Sequence, residues 1–357
     1  MKYNFATRML LQCAKTGVAA LGLVVAHAQS ANSNSAFEFA VIGDQPYNPV
    51  VTVGPNTVQS YPALAYERLI ANINDYRNLE MVVHIGDIKA GNTRCDDNVY
   101  TQNLTYFNSF RPGVVYTPGD NEWTDCHRAN NGGYMPLERL AFLRNTFYTD
   151  NNSLGQRKFA VTRQAGYPEN VRWQVSRVIF VALHMPGSNN NQGQVTGLDA
   201  EYAARNAANL AWIDEAFALA QADSKITGVM FFFQANPFER FVEAGQGYTV
   251  SGFSQFITKI RQKTVEFNKP VAVAHGDTHY FRVDHPLTGT YPACAGGNQG
   301  PSPACVPVAV PGSPTDRVNN FTRVEVFAQN DTHWIKVGVD PKDPNVFSFM
   351  PMRVPGN

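Results

Sequence analysis

GVVYTPGDNEWTDCHR (residues 113–128) is the stretch on which the fold turns. A short apolar run ends in Gly119-Asp120, and an amide, an acid, a tryptophan and a cysteine follow in quick succession. Three other runs end the same way: FEFAVIGD (37–44), EMVVHIGD (80–87) and KPVAVAHGD (269–277). All four are rich in Val, Ile and aromatics and too short for helices, so they read as buried strands. With 17 Asp and 27 Gly in the chain, chance predicts about one Gly-Asp pair. There are four, each behind an apolar run.

Working outward, RVIFVALHM (177–185) and ITGVMFFFQANP (226–237) supply two more strands between the third and fourth Gly-Asp runs. Residues 61–76, 137–148, 198–222 and 252–267 carry apolar side chains at three- and four-residue steps and read as helices. Strands alternating with helices predict parallel pairing and an α/β architecture. Residues 321–341 alternate apolar and polar around Gln329-Asn330-Asp331, which predicts an antiparallel hairpin. No repeat or linker divides the chain, so residues 29–357 are expected to form one domain.

The 357 residues carry 29 Lys plus Arg and 29 Asp plus Glu. A balanced chain does not imply a polyanion or an acidic membrane surface as partner, and no nucleic-acid partner is expected from it, though a local basic patch stays open. Lys2, Arg8 and Lys15, the apolar run 17–26 and Ala26-His27-Ala28 have the order of a signal peptide cleaved near Ala28. The run is shorter than the roughly 20 residues of a membrane span. A periplasmic or secreted monomer without a membrane anchor is expected. Beyond Cys13, four cysteines remain, and they allow three pairings. Cys294 and Cys305 bracket a Gly/Pro-rich loop whose closure is local, which leaves Cys95 for Cys126.

Ligands of open α/β sheets bind beyond the carboxyl ends of the strands, where all four Gly-Asp pairs fall. Like charges about 4 Å apart at an effective dielectric near 20 cost on the order of 4 kcal/mol per pair. Either some of these carboxyls stay protonated or a cation sits among them. His279 follows Asp277 by two residues and can face the same centre.

The series Asp44, Gly86-Asp87, Gly119-Asp120-Asn121-Glu122 and Gly276-Asp277-Thr278-His279 resembles the calcineurin-like metallophosphoesterases, which include the purple acid phosphatases. That family sets a D-x-H, a GD, a GNH-E/D, a lone His and a GHxH on successive strand ends around two metal ions. The resemblance runs from about residue 37 to 340. It implies an αββα two-sheet sandwich, α/β in class, whose C-terminal antiparallel hairpin joins the second sheet. Pro46 stands where the family has its first histidine, and Asp120 where it has a ligand asparagine. Asn121 falls at the catalytic histidine, Gln234 at the lone histidine, and Asp277 at the first histidine of GHxH.

These substitutions run from nitrogen toward oxygen ligands, which favours Mn, Mg, Fe or Ca over Zn as the divalent metal. With two ions, the resemblance implies Asp44, Asp87 and His279 on one, and Asp87, Asp120, Gln234 and Asp277 on the other. With one ion, either half could hold it. The implied activity is metal-dependent hydrolysis of a small-molecule phosphate mono- or diester by a metal-held hydroxide. Asn121 would face the phosphate, and water or His127 would protonate the leaving group, because an amide cannot. Lys89 is a further polar neighbour. The alternative is a weak or inactive phosphoesterase fold that holds a structural cation and binds a ligand or partner. No G-x-S-x-G, G-x-G-x-x-G or Walker pattern supports a serine hydrolase or a nucleotide loop.

Overall fold

The four Gly-Asp runs are strands in the computed structural model, at Phe37–Ile42, Leu79–His84, Gly113–Tyr116 and Val271–His275. The two further expected strands lie at Val178–Ala182 and Gly228–Phe232. The structure describes residues 34–47, 50–53, 56–59, 61–238, 251–287, 290–294, 305–309, 318–329 and 331–357. The expected leader and Cys13 lie outside them.

The strands form two sheets. In the first, Phe37–Ile42, Leu79–His84 and Gly113–Tyr116 run parallel. In the second, Val178–Ala182, Gly228–Phe232, Val271–His275 and Phe321–Glu325 run parallel. Phe39, Val41, Met81 and Val83 of the first sheet face Phe180, Met230, Phe232 and Ala272 of the second in one core. Trp173 stacks there on Phe180 and Phe232, at ring-centre distances of 5.5 and 5.8 Å.

Helices cover both outer faces, because parallel strands are apolar on both sides and must be buried on both. Tyr66, Leu69 and Ile73 of the Tyr61–Asp75 helix and Leu143 and Phe147 of Pro136–Phe147 pack on the first sheet. Trp212, Ile213 and Phe217 of Asp199–Ala222 and Phe256, Ile257 and Ile260 of Ser254–Phe267 pack on the second. The result is the αββα sandwich that the resemblance implies. One helix, Asp97–Ser109, was not expected. It buries Tyr100 and Phe107 against the first sheet.

A C-terminal antiparallel hairpin is present, but its arms and its sheet differ from the expectation. Trp334–Val339 pairs with Phe347–Met352 and with Phe37–Ile42, all in the first sheet. Phe321–Glu325, expected as the first arm, lies beside Val271–His275 in the second sheet. The segment around Gln329 therefore carries the chain from one sheet to the other. Alternation tells which face of a strand is buried, not which strand lies beside it. Here the apolar faces of both segments meet across the core, with Val324 and Val326 in the same cluster as Ile335 and Val337.

Cys95 and Cys126 form a disulfide with a Cα separation of 5.8 Å. Cys294 stands opposite Cys305 in the hairpin of Thr290–Cys294 and Cys305–Ala309. Their side chains lie outside what the structure describes. No helix among the described residues is long and apolar enough to cross a membrane.

Candidate functional site

Both sheets present their carboxyl strand ends along one edge of the sandwich, and the chain turns sharply at each. Asp44, Asp87 and Asp277 turn with φ of 52°, 57° and 79°, left-handed values that few residues other than glycine accept. The glycine before one aspartate makes room for another. A Cβ on Gly276 would come within 1.9 Å of Asp44 Oδ2, and one on Gly119 within 2.0 Å of Asp87 Oδ1. The pairs thus interlock two by two, Gly276-Asp277 with Asp44 and Gly119-Asp120 with Asp87, which is why glycine is required at Gly119 and Gly276.

Asp44, Asp87 and Asp120 are buried and Asp277 is half-buried. Burial, followed for Asp87 by the charges of Asp120 and Glu122, pushes the Asp87 carboxyl well above its usual range. Burial does the same to Asp44, opposed by the Asp277 amide. Lys89 is also buried, with Nζ donating to the Ala90 carbonyl at 2.9 Å. Burial pulls its ammonium down to about 8, against the opposing pull of Glu122 and Asp87.

Hydrogen-bond donors are shared unevenly among the aspartates. Asp87 Oδ1 accepts the Asn121 amide N–H at 3.2 Å. Its Oδ2 accepts Asn121 Nδ2 at 2.7 Å, Gln234 Nε2 at 3.1 Å and the Tyr47 hydroxyl at 3.5 Å. Both oxygens of Asp44 accept the Asp277 N–H, at 3.2 and 3.1 Å. Asp277 accepts Gln234 Nε2 at 3.3 Å on Oδ1 and the Asn236 N–H at 3.2 Å on Oδ2. Asp120 Oδ2 accepts the Ser188 hydroxyl at 2.6 Å, while the buried Oδ1 has no hydrogen-bond partner among the described residues.

Of the sequence-predicted site residues, Asp44, Asp87, Asp120, Asp277, Asn121 and Gln234 come together. His279 joins them at the rim, with Nε2 3.0 Å from the Tyr47 hydroxyl and 3.8 Å from Asp44 Oδ1. Gln234 was expected as an oxygen ligand. Its Oε1 accepts the Gly187 N–H, so its amide nitrogen faces the carboxylates. His127 shares a hydrogen bond with the Thr124 carbonyl at 2.7 Å and makes none to the four aspartates. Glu122, the acid of the GDNE stretch, accepts the Asp87 and Gly119 N–H groups at 3.1 and 2.7 Å and the Tyr116 hydroxyl at 2.8 Å. It fixes the backbone of two Gly-Asp turns at once.

Tyr47 and Asn236 are site residues that the sequence reading did not single out. Tyr47 lies three residues after Asp44, and Asn236 two after Gln234, so proximity to the motif was the available signal. Ser188 belongs to the polar stretch 187–191 beyond the Val178–Ala182 strand, for which the sequence leaves lining the site and merely turning the chain both open; its hydroxyl reaches Asp120.

Among the described residues, no three His, Cys, Asp or Glu side chains form a ready metal-ligand group. Two carboxylate oxygens nevertheless converge. A Cβ built on Gly187 would lie 2.8 Å from Asp120 Oδ1 and 2.9 Å from Asp277 Oδ1. An unpartnered buried oxygen facing a second carboxylate across a small gap suits one hard cation. Mg²⁺ in particular takes one or two carboxylates and fills its remaining positions with water and substrate.

No protein-family model and no curated protein sequence matches the chain. Among solved structures, it is similar to purple acid phosphatase PPD1 from yellow lupin (Lupinus luteus) seeds. That likeness has 11% identity and a TM-score of 0.42, and covers 89% of this chain and 54% of the other. A 5'-nucleotidase precursor from Thermus thermophilus is similar at 8% identity and a TM-score of 0.37, over 90% of this chain and 55% of the other. The chain thus spans about half the length of each neighbour. At these scores the likenesses say nothing of activity.

Proposed function

We propose that this chain is an exported, metal-dependent hydrolase of a small-molecule phosphate mono- or diester. The observation that carries the reading is the convergence of Asp120 Oδ1, buried and unpartnered, with Asp277 Oδ1 beside Gly187. Asp120 and Asp277 would hold one divalent cation, of the Mg²⁺ or Mn²⁺ kind, at that gap. A cation bound there would polarise a phosphoryl oxygen and lower the pKa of a coordinated water. Around it, Asn121 and Gln234 fix Asp87 by three hydrogen bonds of 2.7–3.2 Å. Asp44 is held in turn by the Asp277 N–H. Asn121 has no proton to give up, so the leaving group takes its proton from solvent or from His127. A positioned acid contributes typically about 10²–10⁴-fold, so slow turnover or a good leaving group is expected.

One observation favours a second reading, a cation-binding protein without turnover. Amide donors from Asn121 and Gln234 occupy the Asp87 carboxylate, whose counterpart bridges two ions in the family that the sequence resembles. The test is metal content after purification without chelator, beside hydrolysis of p-nitrophenyl phosphate and its bis-ester with Mn²⁺ or Mg²⁺. Bound metal and turnover, both lost in Asp120→Asn, are expected. Bound metal without turnover on either ester selects the second reading. No metal uptake, even after incubation with Mn²⁺, overturns both.

A further inference from the structure

Four consecutive residues beyond the Val178–Ala182 strand turn left-handed. Ser188, Asn189, Asn190 and Asn191 have φ of 45°, 54°, 57° and 65°. L-residues enter this region singly, because Cβ then crowds the following carbonyl, and asparagine tolerates it better than most. A run of four, all of it buried, persists only where the surroundings over-determine it.

They do. Arg205 donates to Asn190 Oδ1 at 2.6 Å and to the Asn190 carbonyl at 2.8 Å. Asn190 Nδ2 donates to the Gly252 carbonyl at 3.1 Å, and the Gly252 N–H donates to Asn189 Oδ1 at 2.8 Å. Asn191 Nδ2 donates to Glu201 at 2.8 Å. A Cβ on Gly252 would meet the Asn189 carbonyl oxygen at 2.2 Å, so only glycine allows this approach.

What the turn delivers is one hydroxyl. Ser188 Oγ lies 2.6 Å from Asp120 Oδ2 and 3.0 Å from Asp125 Oδ1. A hydroxyl has a single proton to donate. Asp125 is already ion-paired to Arg128 at 2.8 Å and receives the Thr124 hydroxyl at 3.3 Å. The Ser188 proton therefore goes to Asp120, the shorter contact, and Arg128 Nη2 approaches Oγ from behind at 3.5 Å. With Oδ2 held by this hydrogen bond, the Asp120 carboxylate favours the orientation in which Oδ1 lies toward Asp277.

We propose that Ser188 is a positioning residue for a divalent cation at Asp120 and Asp277, and that the left-handed turn exists to hold its hydroxyl there. This rests on the cation reading above. Loss of such a supporting contact typically costs about 10- to 100-fold in metal affinity. The test is calorimetric titration of the metal-stripped protein with Mn²⁺, beside thermal unfolding without metal. Ser188→Ala and Ser188→Gly should both lose about 10- to 100-fold in Mn²⁺ affinity. Ser188→Gly should unfold close to the parent's temperature, since the strain that glycine relieves at this φ offsets the lost hydroxyl contact to Asp120. Gly252→Ala touches no carboxylate and should also weaken Mn²⁺ binding, by displacing the turn. Ser188 variants that bind Mn²⁺ as tightly as the parent overturn this inference and leave the cation reading standing. A Ser188→Gly protein that loses thermal stability along with affinity also overturns it, because the hydroxyl would then serve the fold. A parent that takes up no Mn²⁺ overturns the cation reading, and the inference with it.

Discussion

Asp87 and Asp120 follow adjacent parallel strands, each directly after a glycine, and they end in opposite states. Asp87 is surrounded by donors from Asn121, Gln234 and Tyr47. Asp120 is satisfied on one oxygen only. The same dipeptide at the same kind of strand end therefore does not assign the same chemistry. The supply of donors around it decides, and two of the donors on Asp87 are amides standing where the family that the sequence resembles has histidines. A carboxylate already served by amides has less to gain from a cation than one left open.

Three measurements sharpen or break that contrast. The largest effect is expected from Asp120→Asn, which should weaken Mn²⁺ binding in calorimetry by more than about 100-fold. Asp87→Asn should weaken it less, by about 10-fold, as a supporting residue does. The reverse order would show that Asp87 is the ligand and that its amide neighbours rearrange when metal binds. Next is Glu122→Ala, which strips the acceptor from two Gly-Asp turns and leaves the Asp87 and Gly119 N–H groups unpaired. Each unsatisfied buried group costs about 1–3 kcal/mol, so denaturant unfolding should register a loss of at least roughly 2–6 kcal/mol from the two N–H groups alone. An unchanged midpoint would mean that the turns hold without it.

The smallest effect is in pH. Burial raises the folded-state values of Asp44 and Asp87 above the unfolded value of 3.8. Groups shifted this way contribute stability that is fully present below the unfolded value and is lost as pH rises through the folded values. Metal-free protein should therefore lose stability from about pH 4 upward, and Mn²⁺ should reduce the loss. A metal-free profile that rises over this interval would indicate that other groups dominate.

Much of the sandwich was legible in the chain because Gly-Asp closes a strand in a recognisable way and apolar runs have few alternatives. The Asp97–Ser109 helix escaped because its sequence, DNVYTQNLTYFNS, is poor in strong helix formers and buries an asparagine, Asn103, among its apolar residues. The C-terminal strands were found but assigned to the wrong neighbours, since alternation fixes a face and not a partner. At the site, the order of the carboxylates was readable. Their donors were not, because an amide reveals whether it offers oxygen or nitrogen only once its partners are fixed. Gln234 is the example: the Gly187 N–H claims its oxygen, and that turns the nitrogen toward Asp87.

The crossing near Gln329 has a consequence for the order of folding. The Gln329 N–H donates to the Asp44 carbonyl at 2.9 Å, and its side chain accepts the Tyr47 N–H at 3.0 Å, across 282 positions of chain. The Phe37–Ile42 strand lies between Leu79–His84 and Trp334–Val339, the latter about 300 positions away in sequence. Contacts so distant in sequence carry a large loop-closure entropy and form late. The first Gly-Asp turn thus reaches its final setting only once the segment around Gln329 and the Trp334–Val339 strand have docked, after the helices and most of both sheets can already have formed.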